Sequence, residues 1–381
     1  MPHITSFVLL VLILAATRLP AQCIRLSDWT QVVPSAGLPG DLDLRKANNN
    51  LDVVRHDGRF YLGVRNSRTH FASKHTRLIV LSSDDLIDWR TETIVDLDSD
   101  IREPRFIAWN DSLYLYFFQA GTKMLRFQPR AMQFVVRGPD GGWSEPVNAG
   151  LDGYVNWRIK PHEGRLLLSA YHGGSTYKND GEVVSHMRLF TSDDARTWTP
   201  ISERPQLTHE RSVSEFGFTV DAEGHLWGVA RLELDGSYTV FAHRDSLHVF
   251  QPVYSEYKYD SPIVFRHDGV IYLIARRNLH SNGRFTQFGN RPRRNLIRYS
   301  LTRKTTALWR LDTASRTWQH LMDLGGTGDT AFPGVVDLGG GRFLVMNYSS
   351  DLEGRRKTWL VGQLGATHVY YALLDVDAAC E

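Results

Sequence analysis

Arg55-His56-Asp57-Gly58-Arg59-Phe60-Tyr61-Leu62 returns almost unchanged as Arg266-His267-Asp268-Gly269-Val270-Ile271-Tyr272-Leu273. Looser copies are Asn110-Asp111-Ser112-Leu113-Tyr114-Leu115, His162-Glu163-Gly164-Arg165-Leu166-Leu167, Ala222-Glu223-Gly224-His225-Leu226-Trp227 and Gly339-Gly340-Gly341-Arg342-Phe343-Leu344. Each sets a turn pair such as Asp-Gly or Glu-Gly between short runs rich in Val, Ile, Phe and Tyr, the pattern of a tight β-hairpin. Six copies predict six hairpins, and a repeat of this kind decides the architecture before any other feature.

A second pattern follows most hairpins. It reads Ser82-Ser83-Asp84-Asp85-Leu86-Ile87-Asp88-Trp89, then Thr191-Ser192-Asp193-Asp194-Ala195-Arg196-Thr197-Trp198, with weaker versions ending at Trp143, Phe250 and Trp318. Polar turn residues followed by an aromatic anchor suit an outer hairpin whose ring packs between neighbouring sheets. Two hairpins make a four-stranded antiparallel sheet, and a repeat of about 45 to 70 residues is the length of one propeller blade. The predicted fold is all-β, a six-bladed β-propeller with no long amphipathic helix. The sixth unit is one strand short, and Trp29 to Val33 is the donor that closes the ring by pairing the two ends of the chain. A pair of β-sandwiches with similarly spaced turns is the alternative. The Arg- and Asn-rich region 279–305 interrupts the fifth unit and reads as a long loop, a class often functional.

Working outward, the chain has 381 residues, 42% apolar and 23% charged, with a formal net charge of +2. That supports a large core and offers neither a basic face for nucleic acid nor an acidic tail. The apolar run 7–16, followed by Arg18, Leu19, Pro20 and Ala21, reads as a signal peptide over residues 1–21, leaving one propeller domain over 22–381 and placing the protein outside the cell or in the periplasm. No later stretch approaches the roughly 20 apolar residues of a membrane span. The two cysteines, Cys23 and Cys380, stand at the ends of the exported chain and suggest a disulfide, worth at most about 5 kcal/mol. Lipidation of Cys23 competes, but Gln22 is bulky where such signals prefer a small residue. The chain is expected to be a monomer.

In a blade, the residues that open the innermost strand and those that close the second strand meet at one face, around the axis. The opening positions hold Asp52, Arg102, Glu103, Arg158, Glu215, Asp260 and Asp329; the closing positions hold Arg65, Tyr171, His172, Arg231 and Arg276. So many ionisable groups at one mouth are costly to desolvate unless they pair or bind a ligand. Structural ion pairs between blades are the bland reading, and a concave ligand site is the functional one.

The residues at this point resemble the sialidase superfamily of six-bladed propellers. The pattern at Thr191 to Trp198, and next at Ser82 to Trp89, looks like that family's Asp-box, and Ser214-Glu215-Phe216 through Ala230-Arg231 is similar to its fourth blade. The resemblance implies a glutamate, Glu215, that activates a tyrosine nucleophile, and an arginine, Arg231, that clamps a substrate carboxylate. Three positions depart from it. Asn49-Asn50-Leu51-Asp52 stands where the family opens its first blade with arginine, Asp260 where it opens the fifth with arginine, and Asp329-Thr330-Ala331-Phe332 where the tyrosine is expected.

Three functions follow. A glycoside hydrolase on an anionic or complex glycan needs two carboxyl groups, for which Glu215, Asp52, Asp329, Glu103 and Asp260 are the candidates, with Arg231, Arg158, Arg276, Arg65 and Arg102 able to bind substrate anions. A lyase on a uronate-containing polysaccharide needs an Arg and a His or Tyr base, which Arg231 with Tyr171, His172 or His70 supplies. For a non-catalytic, lectin-like glycan-binding propeller, aromatic and Arg contacts without a matched acid pair would suffice. No cofactor is implied, and no His/Cys spacing announces a transition-metal site.

Overall fold

A computed structural model describes residues 23–124, 126–173, 185–285, 288–352 and 357–378. The predicted leader and Cys380 lie outside these described residues.

The inner hairpins form as their turn chemistry dictates. Asp57 and Gly58 have φ of 49° and 79°, Glu163 and Gly164 48° and 76°, and Asp268 and Gly269 44° and 77°. Positive φ at both central residues is the twist-matching hairpin turn that Asp-Gly pairs favour. Even Asn110 and Asp111, with no glycine, adopt it at 48° and 58°.

Six antiparallel sheets result. The first runs Ala47–His56, Arg59–Ser67, Arg77–Ser83, Arg90–Asp96; the second Asp100–Trp109, Ser112–Ala120, Pro129–Arg137, Val147–Asn148; the third Tyr154–His162, Arg165–His172, His186–Ser192 and the short Thr199–Pro200 and Leu207–Thr208. The fourth runs Val213–Val220, Leu226–Leu232, Ser237–Ala242, Gln251–Ser255, and the fifth Asp260–His267, Val270–Asn278, Lys304–Asp312, Thr317–Gly325. In the sixth, Thr327–Thr330 and Gly334–Gly339 pair with Arg342–Asp351, which pairs with His368–Ala378.

Ring closure uses the strand foreseen and one more. Thr30–Val33 pairs with His368–Ala378 (Thr30 opposite Tyr371), and so does Cys23–Leu26 (Leu26 opposite Leu374). Cys23 faces Ala378 across this ladder and is disulfide-bonded.

The outer hairpins turn around one carboxylate acceptor. Asp194 Oδ1 takes the backbone N–H of Arg196 and of Thr197, both at 2.7 Å, and Asp85 Oδ1 takes those of Ile87 and Asp88, both at 2.9 Å. The anchoring ring then crosses to the preceding blade: Trp198 meets Tyr116 edge-on at 5.8 Å and donates to its hydroxyl. Aromatic packing of this kind fills the wedge between sheets, as in the cluster of Tyr61, Leu78 and Val80 with Phe106 and Leu115.

The region 279–305 corrects the expectation of a plain loop. It contains the helix Pro292–Ser300, started by a proline at its first turn, where the missing N–H is no loss. A second short helix, Trp359–Leu364, is capped by Thr358, whose side chain accepts from Val361 N–H.

Candidate functional site

Each innermost strand breaks register at the same level. The shifts fall between Asn49 and Leu51, Arg102 and Arg105, Asn156 and Arg158, Ser214 and Phe216, Asp260 and Ile263, and Thr327 and Thr330. Four of these bulges hold a non-glycine residue at positive φ, Asn50 at 43°, Glu103 at 56°, Glu215 at 21° and Ser261 at 54°, and Ala331 at 68° directly follows the sixth. A bulge re-aims one side chain and frees backbone groups from the ladder, and left-handed non-glycine residues cluster at functional sites.

Buried side chains take up the freed carbonyls. Arg105 donates to Leu51, Pro104 and Trp157 carbonyls, and its guanidinium lies 4.3 Å from the Phe332 ring centroid. Arg158 reaches the Pro262 and Pro333 carbonyls at 3.3 and 3.2 Å, while Arg276 takes those of Thr330 and Ala331 at 2.7 and 3.1 Å. The Asn156 amide donates to the Glu103 carbonyl. A buried carbonyl without a partner is costly, so these groups tie the inner strands across the axis and plug the channel. Close approach of the fourth and fifth blades also needs Gly217, where a Cβ would lie 2.6 Å from the Pro262 carbonyl oxygen.

Above the plug opens a cavity of about 470 Å³, in the usual range for a small-ligand site. Of the candidates, Glu103, Glu215, Arg102, Arg231, Arg276 and Tyr171 line it. The others do not. Arg158 belongs to the plug, and Asp52 lies beside it, accepting from Phe106 N–H at 2.8 Å. Arg65 is fully buried against Asp100 at 2.8 Å. Asp260 and Asp329 sit behind the lining residues, and His172, between the lining Tyr171 and Gly173, stacks on His186 at 5.4 Å.

The two lining glutamates differ. Glu103 is 7% exposed; one oxygen accepts from the Asn50 amide at 3.1 Å, and Oε2 has no hydrogen-bond partner among the described residues. Burial, opposed by Arg105 and helped by the charge of Glu215, pushes its carboxyl up to about 7. Glu215 accepts from Arg231 and, at 2.7 Å, from Ser261 N–H, although burial raises its pKa as well. The negative charge of Glu215 thus helps keep the proton on Glu103.

Behind them Asp260 is a hub. It bridges Arg231 at 3.0 Å, Arg276 at 3.4 Å and Lys258 at 3.7 Å, and accepts from the Tyr299 hydroxyl. Burial alone would raise it, but these three cations hold it at about 2. Three of the lining arginines, Arg102, Arg231 and Arg276, are therefore already engaged, whereas exposed Arg126 on the same wall has no acidic partner among the described residues. Arg231 also pairs with Glu233 at 2.8 Å, and Arg102 pairs with Asp100.

The closing loops bring in His70, foreseen as a lyase base, with partners from the sixth blade. His70 Nδ1 meets Asp329 Oδ2 at 2.7 Å, and Tyr348 donates to Asp329 Oδ1 at 3.1 Å. Burial lowers His70, while that imidazole helps hold Asp329 down against its own burial, giving a neutral imidazole on an ionised carboxylate. Trp359 and Gln363 of the short helix also line the cavity, and the Gln363 carbonyl holds His70 N–H at 3.0 Å. Only Thr358 before an apolar run hinted at that helix. Elsewhere, at the fifth hairpin turn, His267, Asp268 and Asp377 bring ligand atoms within 4.8 Å of one another, a grouping that sequence spacing did not announce.

Six radial sheets with a plugged axis and one polar mouth define a sialidase-like β-propeller. No protein family's sequence profile and no curated protein sequence matches the chain. Among solved structures, the chain is similar over 93% of its length to a Dyadobacter fermentans DSM 18053 protein of unknown function (99% of that chain, 16% identity, TM-score 0.65). It is also similar to Trypanosoma rangeli sialidase (93% of this chain, 60% of that one, 11% identity, TM-score 0.63) and to phage phi92 endosialidase (93% and 70%, 10% identity, TM-score 0.62). The chain thus spans about three fifths of the length of the T. rangeli sialidase, and at these identities the likeness is one of fold. Among the described residues no helix is long and apolar enough to cross a membrane.

Proposed function

We propose that this propeller is an exported, sialidase-like glycoside hydrolase acting on a complex glycan, with Glu103 as general acid and Glu215 as base or nucleophile. The observation that carries the reading is Glu103: a buried carboxyl at a left-handed bulge in the cavity wall, raised to about 7 although Arg105 stands 4.0 Å from its Oε2. Such an acid is protonated near neutral pH and can donate to a leaving glycosidic oxygen. Glu215, braced by Arg231 and Ser261 N–H, is the complementary carboxylate. No tyrosine hydroxyl hydrogen-bonds Glu215 among the described residues, so the two-carboxylate chemistry replaces the tyrosine route implied by the sialidase resemblance. Because Arg102, Arg231 and Arg276 are paired internally, recognition falls to the aromatic walls, Phe332, Tyr348 and Trp359 among them, and to Arg126, which has no acidic partner among the described residues. The disulfide expected between Cys23 and Cys380 fits an exported chain.

One observation favours a second reading. The His70–Asp329 pair beside Arg102, whose guanidinium donates to the His70 carbonyl at 2.8 Å, is an arrangement suited to removing a proton next to a uronate carboxylate. A glycan panel with the wild type, Glu103→Gln and Glu215→Gln separates the two. Hydrolysis lost by about 100-fold or more in both variants supports the hydrolase. An unsaturated, ultraviolet-absorbing product that survives Glu103→Gln and disappears in His70→Ala supports the lyase. Retention of glycan without any product would leave a binding propeller.

A further inference from the structure

The segment 279–303 of the fifth blade carries six arginines and no Asp or Glu. All six, Arg284, Arg291, Arg293, Arg294, Arg298 and Arg303, are exposed. Arg284 pairs with Glu256 at 3.1 Å, and Arg298 meets His280 at 3.2 Å, whereas Arg291, Arg293, Arg294 and Arg303 have no acidic partner among the described residues. The helix Pro292–Ser300 docks through Asn295 and Tyr299, both buried, so its opposite face presents Arg293, Arg294, Ile297, Arg298 and then Leu301 to solvent. These positions follow helical spacing, so cations and apolar side chains share one surface.

The apolar part is large. Among the described residues, seven of the thirteen exposed large hydrophobic side chains belong to this segment and the neighbouring helix Trp359–Leu364: Leu279, Phe288, Ile297, Leu301, Leu360, Val361 and Leu364. The two helices share a small core in which Tyr299 meets Trp359 at 6.0 Å, and Trp359 N–H donates to the Thr302 carbonyl at 3.1 Å. Trp359 also lines the cavity, so this surface adjoins the mouth. Exposed apolar groups gathered in one place mark an interaction face. A soluble polyanion would use the arginines and leave Ile297, Leu301, Val361 and Leu364 wet. A surface that is anionic above and hydrocarbon below uses both.

We propose that these two helices form a docking face for an anionic lipid surface, which seats the cavity mouth against a membrane. Resting on the hydrolase reading, the substrate would then be a glycan displayed on that membrane rather than one free in solution. The docking itself needs no catalysis and is measured separately.

The experiment is co-sedimentation of the full exported chain with phosphatidylcholine vesicles, with and without phosphatidylglycerol, at low and high salt. Expected are binding that requires phosphatidylglycerol, a loss of about fivefold for each of Arg293→Ala, Arg294→Ala and Arg298→Ala, and a clear loss in the Ile297→Ser, Leu301→Ser double variant. All five positions are exposed, so thermal unfolding should be unchanged and serves as the folding control. Failure of the wild type to bind anionic vesicles at low salt overturns the proposal. Undiminished vesicle binding by the apolar double variant overturns it too, since the face would then be a plain polyanion receptor, which displacement by dextran sulfate would display. Glu215→Gln, inactive under the hydrolase reading, should bind vesicles as the wild type does, so failure of either idea leaves the other standing.

Discussion

Glu103→Gln should abolish activity and stabilise the fold, and the stabilisation should depend on pH. The folded chain holds the Glu103 proton up to about pH 7, against a usual carboxyl value of 4.5. Between these values the unfolded chain has released the proton and the folded chain has not, so wild-type stability falls as pH rises from about 4.5 and the loss is complete above about 7. The displacement corresponds to roughly 3 kcal/mol. Glutamine keeps an oxygen for the Asn50 amide, which now donates at 3.1 Å, and carries no charge to desolvate. Isothermal urea denaturation of both proteins from pH 4 to pH 8 should show near-equality at pH 4 and an advantage for the variant approaching roughly 3 kcal/mol at pH 8. A difference that does not grow with pH would refute the claim that Glu103 is protonated at neutrality, and with it the choice of general acid.

Asp260→Asn should destabilise the chain by about 3 to 5 kcal/mol at pH 7, because it leaves Arg231, Arg276 and Lys258 buried without their common anion. Since the depressed Asp260 gives stability that is present above its unfolded value and lost as pH falls towards about 2, the variant should also lack the wild type's acid transition in that window; denaturation at pH 2 to 5 reads both effects. Gly217→Ala places a Cβ 2.6 Å from the Pro262 carbonyl oxygen and should cost about 1 to 3 kcal/mol, measured by urea denaturation. Cys23→Ser should lower stability by about 2 to 5 kcal/mol under oxidising conditions and make no difference under reduction.

The blade repeat was legible because its causes are local. An Asp-Gly or Glu-Gly pair between β-branched and aromatic runs commits the chain to a hairpin wherever it stands, and the turns at Asp57, Glu163 and Asp268 adopt the positive φ their residues favour. Even the closing strand near Thr30 was legible, since a strand missing at one end of a ring must come from the other. The helix at Pro292 was missed although its proline was in view, because nine residues rich in arginine give no clean apolar period.

Which charged residues face the cavity was decided only in three dimensions. The sequence placed Asp52, Arg65, Arg158, Glu103 and Glu215 alike at blade mouths, since position along a strand is all that a linear pattern conveys. Bulges then turned Glu103 and Glu215 upwards and freed the carbonyls that drew Arg158 and Arg276 into contact with the neighbouring strands. Asp260 acquired its role in the same way, from cations supplied by three strands and loops that converge only when the ring closes. Hairpins and blade number follow from short-range backbone preferences, which sequence carries directly. Protonation and orientation depend on burial and on partners distant along the chain, and these exist only once the six sheets have packed.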